Sequence, residues 1–167
     1  ECEKISGRVH RRPTNFVWEY FEDLGFSDYL AIDINTELRS IAMDLNFILK
    51  DKYNYTTEFD YVTNNGTGEH VFDQRTVFEN MHNLCKPGGI MINVLPFAPW
   101  FNHCFYSYHP QLFRDIAAAN GYEWQFMWLA QNTGKYIDCP TGMDSWIHYE
   151  QKKPRAPVSE LERAYDE

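Results

Sequence analysis

The sequence predicts an α/β domain, with a mostly parallel sheet, helices on both faces and an antiparallel hairpin at its C-terminal end. Three observations predict it. The runs "YLAIDI" (29–34), "SIAMDL" (40–45), "FDYVTN" (59–64) and "IMINVLPF" (90–97) are apolar without strict alternation, as strands covered on both faces are. Segments with helical spacing are interleaved with them. The last two apolar segments, "YEWQFMWLA" (122–130) and "DSWIHYEQ" (144–151), alternate polar with apolar residues instead, as an antiparallel edge pair does.

Taken in order, residues 1–13 are polar and basic with no periodicity, and read as an extended arm. A helix is expected from Thr14, a capping residue; Phe16, Val17, Tyr20, Phe21 and Leu24 recur at its spacing and bury an aromatic face, and Gly25 suits the left-handed position after its end. Two strands follow, joined by a short polar link. Residues 46–58 fit neither period. After the third strand, Asp73 to Cys85 sets Val77, Phe78, Met81, Leu84 and Cys85 on one helical face, and Lys86-Pro87-Gly88-Gly89 ends it before the fourth strand. Pro110 is placed as the first residue of a helix through Asn120, closed by Gly121. The expected organisation is an arm over 1–13, one α/β domain over 14–151 and a charged tail over 152–167.

Composition narrows the function classes. A chain of 167 residues with 44% hydrophobic and 17% aromatic content buries one sizeable core. Its net charge is -9, and its few clustered basic residues (Arg8, Arg11, Arg12; Lys152, Lys153, Arg155) stand near the two ends. Nucleic-acid binding needs a basic face, so that partner is disfavoured. No run approaches the roughly 18 apolar residues of a membrane span, and no signal-peptide core precedes the first helix. A cytoplasmic protein without a membrane partner is expected, and nothing in the sequence specifies an oligomeric state. Cys2, Cys85, Cys104 and Cys139 form no C-x-x-C pair and read as reduced thiols used in packing.

Asp33 and Asp44 close the first two strands, and "NNGTGEH" (64–70) follows the third. Parallel sheets bind ligands outside the carboxyl ends of their strands, and glycines there let backbone approach a ligand closely. A strand-end acid either caps a loop or accepts the hydroxyls of a ribose. Two on adjacent strands beside a glycine-rich turn favour a nucleoside.

These segments, with "MHNLCKPGGIMINVLPF" and "FYSYHPQLFRDIAAANGYE", resemble the class I S-adenosylmethionine-dependent methyltransferases from about Tyr29 to Gln151. The resemblance implies a Rossmann-like fold, S-adenosylmethionine as cofactor and a small-molecule acceptor bearing a sugar-like hydroxyl or an amine. It implies that Asp33 holds the ribose hydroxyls and that Asp44, with the Leu45 amide, holds adenine. Asn64, Asn65 and Gly66 then lie along the cofactor's methionine end, and Glu69 and His70 match the "EH" that opens the next helix in many members. The family's first strand and glycine-rich loop have no counterpart in "ECEKISGRVHRR". Either they lie upstream of Glu1 or something else fills their place.

Methyl transfer is an in-line displacement, so positioning dominates, with a base where the acceptor must lose a proton. His103, His70 and Glu69 are the candidates, His103 on the aromatic loop with Trp100, Phe101, Phe105, Tyr106 and Tyr108. In two methyltransferase groups the turn reads Glu-x-x-Glu-His and helps to hold a divalent ion. Here Gly66 replaces the first acid, and no metal is expected. A catalytically silent binding domain and a nicotinamide-dependent oxidoreductase are the competing readings, the second opposed by the C-terminal hairpin.

Overall fold

The computed structural model describes residues 16–97, 102–130, 136–138 and 146–152, and the chain divides between Asp44 and Leu45 into two compact units. The expected arm lies outside the described residues, as does the expected tail beyond Lys152.

In the first unit, helix α1 spans Val17–Asp23. The expected cap, Thr14, is outside the described residues; the residue before the helix is Phe16, in extended backbone with no side-chain cap. The end is built as the glycine predicts: Gly25, at φ 93, donates to Glu22 O and Phe26 donates to Phe21 O at 3.1 Å. Phe26 also sets its ring edge-on to Phe21 at 5.4 Å. That is a Schellman closure with its apolar contact. None of α1 is buried, contrary to the aromatic face expected. Its aromatic residues stack on one another instead, Phe16 on Trp18 at 4.3 Å, because two strands of three residues offer too little surface to cover them. Those strands, β1 (Ala31–Asp33) and β2 (Ser40–Ala42), pair in parallel. Leu38 and Arg39, both left-handed, turn the link between them. Arg39 then reaches back to Glu22 at 2.7 Å.

The second unit holds helix α2 (Leu49–Tyr53), strand β3 (Phe59–Asn65), a 3₁₀ turn (Gly68–His70), helix α3 (Gln74–Leu84), strand β4 (Cys85–Pro96), helix α4 (Pro110–Ala119) and strands β5 (Glu123–Ala130), β6 (Tyr136–Asp138) and β7 (Trp146–Lys152). Its sheet runs β3-β4-β7-β5-β6. β3 and β4 are parallel, while β7 is antiparallel to both β4 and β5. The last two long strands pair antiparallel as expected, from Glu123↔Lys152 to Ala130↔Trp146, but not as the edge of the sheet, because β7 is also paired with β4 and lies between β4 and β5. The intervening chain adds β6 on the outer side of β5, which the sequence had not signalled.

β4 starts at Cys85, directly after α3, although Lys86-Pro87-Gly88-Gly89 had read as a break. The register explains this: Phe59 faces Cys85 and Tyr61 faces Ile90, so the extra residues form a bulge. Gly89 is obligatory there, since a Cβ would stand 2.8 Å from Cys85 Sγ and 2.9 Å from Lys86 O.

Helix α4 follows expectation closely. His109 caps it, Nδ1 accepting from the Gln111 amide at 3.1 Å, with Pro110 in the first turn. Gly121 and Tyr122 close it in a second Schellman arrangement on Ala118 O and Ala117 O. Its buried Phe113 joins Leu95, Tyr108, Met127 and Leu129 in one core cluster. Val62, Met81, Cys85 and Met91 make a second, and Phe78 on α3 packs against both. Full burial of each such large apolar side chain stabilises the fold by about 1.5–3 kcal/mol.

Candidate functional site

The β3–β4 pair carries the site at its carboxyl end. Asn64 and Asn93 face each other in register, and the buried Asn64 Nδ2 donates to Asn93 Oδ1 at 3.0 Å. Asn64 Oδ1 accepts from the Gly68 amide at 2.8 Å, which folds the turn back on the strand. Gly66, at φ 68, donates to Val94 O at 3.0 Å and prolongs the ladder past the strand end. Gly68 is needed for a different reason: a Cβ would lie 2.6 Å from Asn64 Nδ2 and 3.1 Å from Val77 Cγ1. Its smallness therefore serves the turn's own packing, where the sequence had suggested room for a ligand.

Glu69 and His70 lie in the 3₁₀ turn, ahead of α3, whose own cap is Asp73 accepting from the Thr76 amide at 3.2 Å. The turn is clamped to the 102–108 loop. The backbone oxygen of Glu69 accepts from Phe105 N at 3.0 Å and Tyr106 N at 3.3 Å. Tyr106 Oη donates to Phe72 O at 2.8 Å. Gln74, which sequence reasoning missed, ties the same elements together: its amide donates to Gly68 O and Val71 O, and its Oε1 accepts from Tyr108 Oη at 2.6 Å.

This clamp brings His103 to Glu69. His103 Nε2 stands 3.6 Å from Glu69 Oε1, His70 Nε2 stands 4.0 Å from the same oxygen, and the two imidazoles meet edge-on at 5.1 Å. One possible ligand atom from each of the three lies within 4.8 Å of the others. The Glu69 side chain is fully buried, while 46% of His70 and 27% of His103 are exposed. Burial raises the pKa of the Tyr108 hydroxyl above its ordinary range and the charge of Glu69 adds to the shift; the Cys104 thiol is pushed up by the same two causes in the same order. The turn is thus a low-dielectric, negative spot with two imidazoles on its open side.

The other expected cofactor residues take simpler places. Asp33 ends β1, is exposed and accepts from the Asn35 amide at 3.3 Å, the local loop bond that competes with a ligand role. Asp44 lies just past β2 and is half-buried. Leu45 accepts from Thr76 Oγ1 at 2.7 Å through its carbonyl. Asn65 is exposed at the end of β3, unlike its neighbour Asn64. Of the aromatic loop, Trp100 and Phe101 lie outside the described residues, Phe105 is 69% exposed and Tyr108 belongs to the core. Asn93 was also missed, although an asparagine within the apolar "IMINVLPF" was the signal available.

The family described as "Methyltransferase domain" matches residues 16–137. No curated protein sequence matches the chain. Among solved structures it is similar to the Burkholderia thailandensis 1,6-didemethyltoxoflavin-N1-methyltransferase with bound 1,6-didemethyltoxoflavin and S-adenosylhomocysteine. That likeness has 12% identity and a TM-score of 0.58, over 82% of this chain and 65% of the other, so the chain spans just under two thirds of that enzyme. It is also similar, at 15% identity and a TM-score of 0.47, to the N-methyltransferase NodS from Bradyrhizobium japonicum WM9, over 75% of this chain and 72% of that one. With this family's pattern across most of its length, the chain belongs to the methyltransferase-domain family, and its α/β architecture is the Rossmann-like fold of the toxoflavin enzyme.

Proposed function

We propose that this domain transfers the methyl group of S-adenosylmethionine to a hydroxyl or amine of a small molecule, with Glu69, His70 and His103 as the acceptor-activating group. The observation that carries the reading is the meeting of His103 Nε2 with the buried Glu69 carboxylate at 3.6 Å, at the carboxyl end of a parallel strand pair in a methyltransferase domain. A sulfonium methyl needs no catalytic help to leave beyond alignment, so the protein's work falls on the acceptor. His103 takes the acceptor's proton, and Glu69 favours the imidazolium that results. On the cofactor side, Asp33 receives the ribose hydroxyls, Asp44 and the Leu45 amide receive adenine, and Asn64, Asn65 and Gly66 border the methionine end. A small-molecule acceptor accords with the ligand in the toxoflavin enzyme of like fold and with a net charge of -9, which disfavours nucleic acid.

Titration calorimetry of the full chain with S-adenosylmethionine and S-adenosylhomocysteine tests the cofactor half, with micromolar affinity expected. An assay of S-adenosylhomocysteine release across small alcohols, phenols and amines tests the other half. Folded protein that binds neither nucleoside would overturn the reading.

A further inference from the structure

Glu69 is fully buried and neither oxygen of its side chain has a hydrogen bond, so no local bond orients the carboxylate. Its separation from His103 Nε2, 3.6 Å, is therefore decided by where two stretches of backbone are held, the turn after β3 and the 102–108 loop after β4. One half-buried side chain reaches both. Gln74 opens α3, and its Nε2 donates to Gly68 O at 2.8 Å and to Val71 O at 2.6 Å, on either side of Glu69 and His70. Its Oε1 accepts from Tyr108 Oη at 2.6 Å. Chemistry fixes the direction of these bonds. Carbonyl oxygens only accept, so the amide nitrogen must face Gly68 and Val71, the amide oxygen must face Tyr108, and the Tyr108 hydroxyl must donate. Tyr108 is itself anchored, by its ring in the core cluster and by its amide to Pro96 O, at the last residue of β4, at 2.8 Å.

We propose that Gln74 is the positioning residue of this site: with its three side-chain bonds it fastens the Glu69 turn to the loop carrying His103 and so sets the Glu69–His103 separation. Its consequence for turnover rests on the methyltransfer reading, in which His103 takes the acceptor's proton. At 3.6 Å the pair stands just beyond hydrogen-bond length, so a small movement of either stretch makes or loses a charge-assisted bond to the imidazolium. The attraction is strong only while the carboxylate stays out of water. The other ties between turn and loop run to the backbone oxygens of Glu69 and Phe72. Those bonds hinge the turn on the loop, and Gln74, bonded at both ends of the turn, stops it from rocking.

The test uses the full chain with Gln74→Met, of equal length but without an amide, and with Tyr108→Phe, which cuts only the loop side of the clamp and serves if Gln74→Met fails to fold. The first measurement needs neither cofactor nor acceptor. In the unaltered chain the imidazoles of His70 and His103, 5.1 Å apart, give a ring-to-ring nuclear Overhauser effect, which each folded variant is expected to lose. The second is steady-state kinetics with the acceptor found by the release assay. Turnover is expected to fall by about ten- to a hundred-fold, with the KM for S-adenosylmethionine and the affinity for S-adenosylhomocysteine unchanged. A residue that acts through His103 has nothing left to position once that imidazole is gone, so Gln74→Met should lower turnover no further in a His103→Ala background. A ring contact that is absent from the unaltered chain, or that both folded variants retain, overturns the proposal, as does a turnover loss of the same factor with and without His103. A chain that binds no nucleoside and turns nothing over would sink the methyltransfer reading alone, and the ring contact would still decide the role of Gln74.

Discussion

Asp33 is exposed and already engaged by the Asn35 amide, so its carboxylate can be exchanged with little effect on the fold. If it holds the ribose hydroxyls, Asp33→Ala weakens S-adenosylhomocysteine binding by about 1.5–3 kcal/mol, roughly ten- to a hundred-fold in calorimetry, with an unchanged thermal midpoint. Asp44→Ala gives a smaller loss, since adenine keeps the Leu45 amide. An unfolded Asp33→Ala protein would make the acid structural. His103→Ala, once an acceptor is identified, lowers turnover by about 10² to 10⁴ at unchanged cofactor affinity; full turnover would remove His103 from the chemistry. The sequence marked Glu69, His70 and His103 as chemical residue types. It did not show that Glu69 is fully buried, because its position beside two glycines reads as an exposed first turn.

The turn after β3 contains two glycines with different physical reasons, and they respond differently to the same change. Gly68→Ala forces a Cβ to within 2.6 Å of Asn64 Nδ2 and is expected to destabilise by about 1–3 kcal/mol as an overpacked site. Gly66→Ala meets nothing closer than Glu69 Oε1 at 3.7 Å and pays mainly for its positive φ, about 1–2 kcal/mol. Gly66→Asn should restore part of that loss, while Gly68→Asn should not. Urea midpoints of the four variants check this, and equal effects of Asn at both positions would contradict the distinction. The helix ends at Gly25 and Gly121 were legible because a Schellman closure is written within a few residues. Helix α2 was not. Its Leu49 amide is bonded to Asn80 Oδ1 at 2.9 Å, and Asn80 Nδ2 returns to Phe47 O, so a distant asparagine on α3 stands where a local cap would.

At the scale of the whole molecule, the buried Tyr108 and the half-buried Tyr122 set an alkaline limit. Tyr108 and Tyr122 have hydroxyl pKa values raised above the ordinary 10.0, by burial first, then by Glu69 and Cys85 respectively. The unfolded chain therefore releases these protons at a lower pH than the folded one. Their contribution to stability is full below about pH 10 and is lost as pH rises above it. Thermal midpoints should hold steady up to about pH 9 and then fall. Tyr108→Phe with Tyr122→Phe should flatten that fall, although it lowers stability at neutral pH by removing the bonds to Gln74 and His82. A fall of the same steepness in the double variant would assign the limit to other groups.

What the sequence determined by itself is what neighbouring residues encode. The apolar runs gave the long strands, the 3.6-residue spacing gave α3, Pro110 gave the start of α4, the glycines gave two helix ends, and the motifs in order gave the methyltransferase family. Only the tertiary structure decided the rest. The bulge that carries Lys86 to Gly89 into β4, the edge strand β6 and the Asn64–Asn93 bond all depend on register with a distant strand. The approach of His103 to Glu69 depends on a loop clamped through Phe105, Tyr106 and Gln74. A sequence lists these groups at separate positions, and the distance between them exists only once burial and hydrogen bonding have closed the chain around the carboxylate.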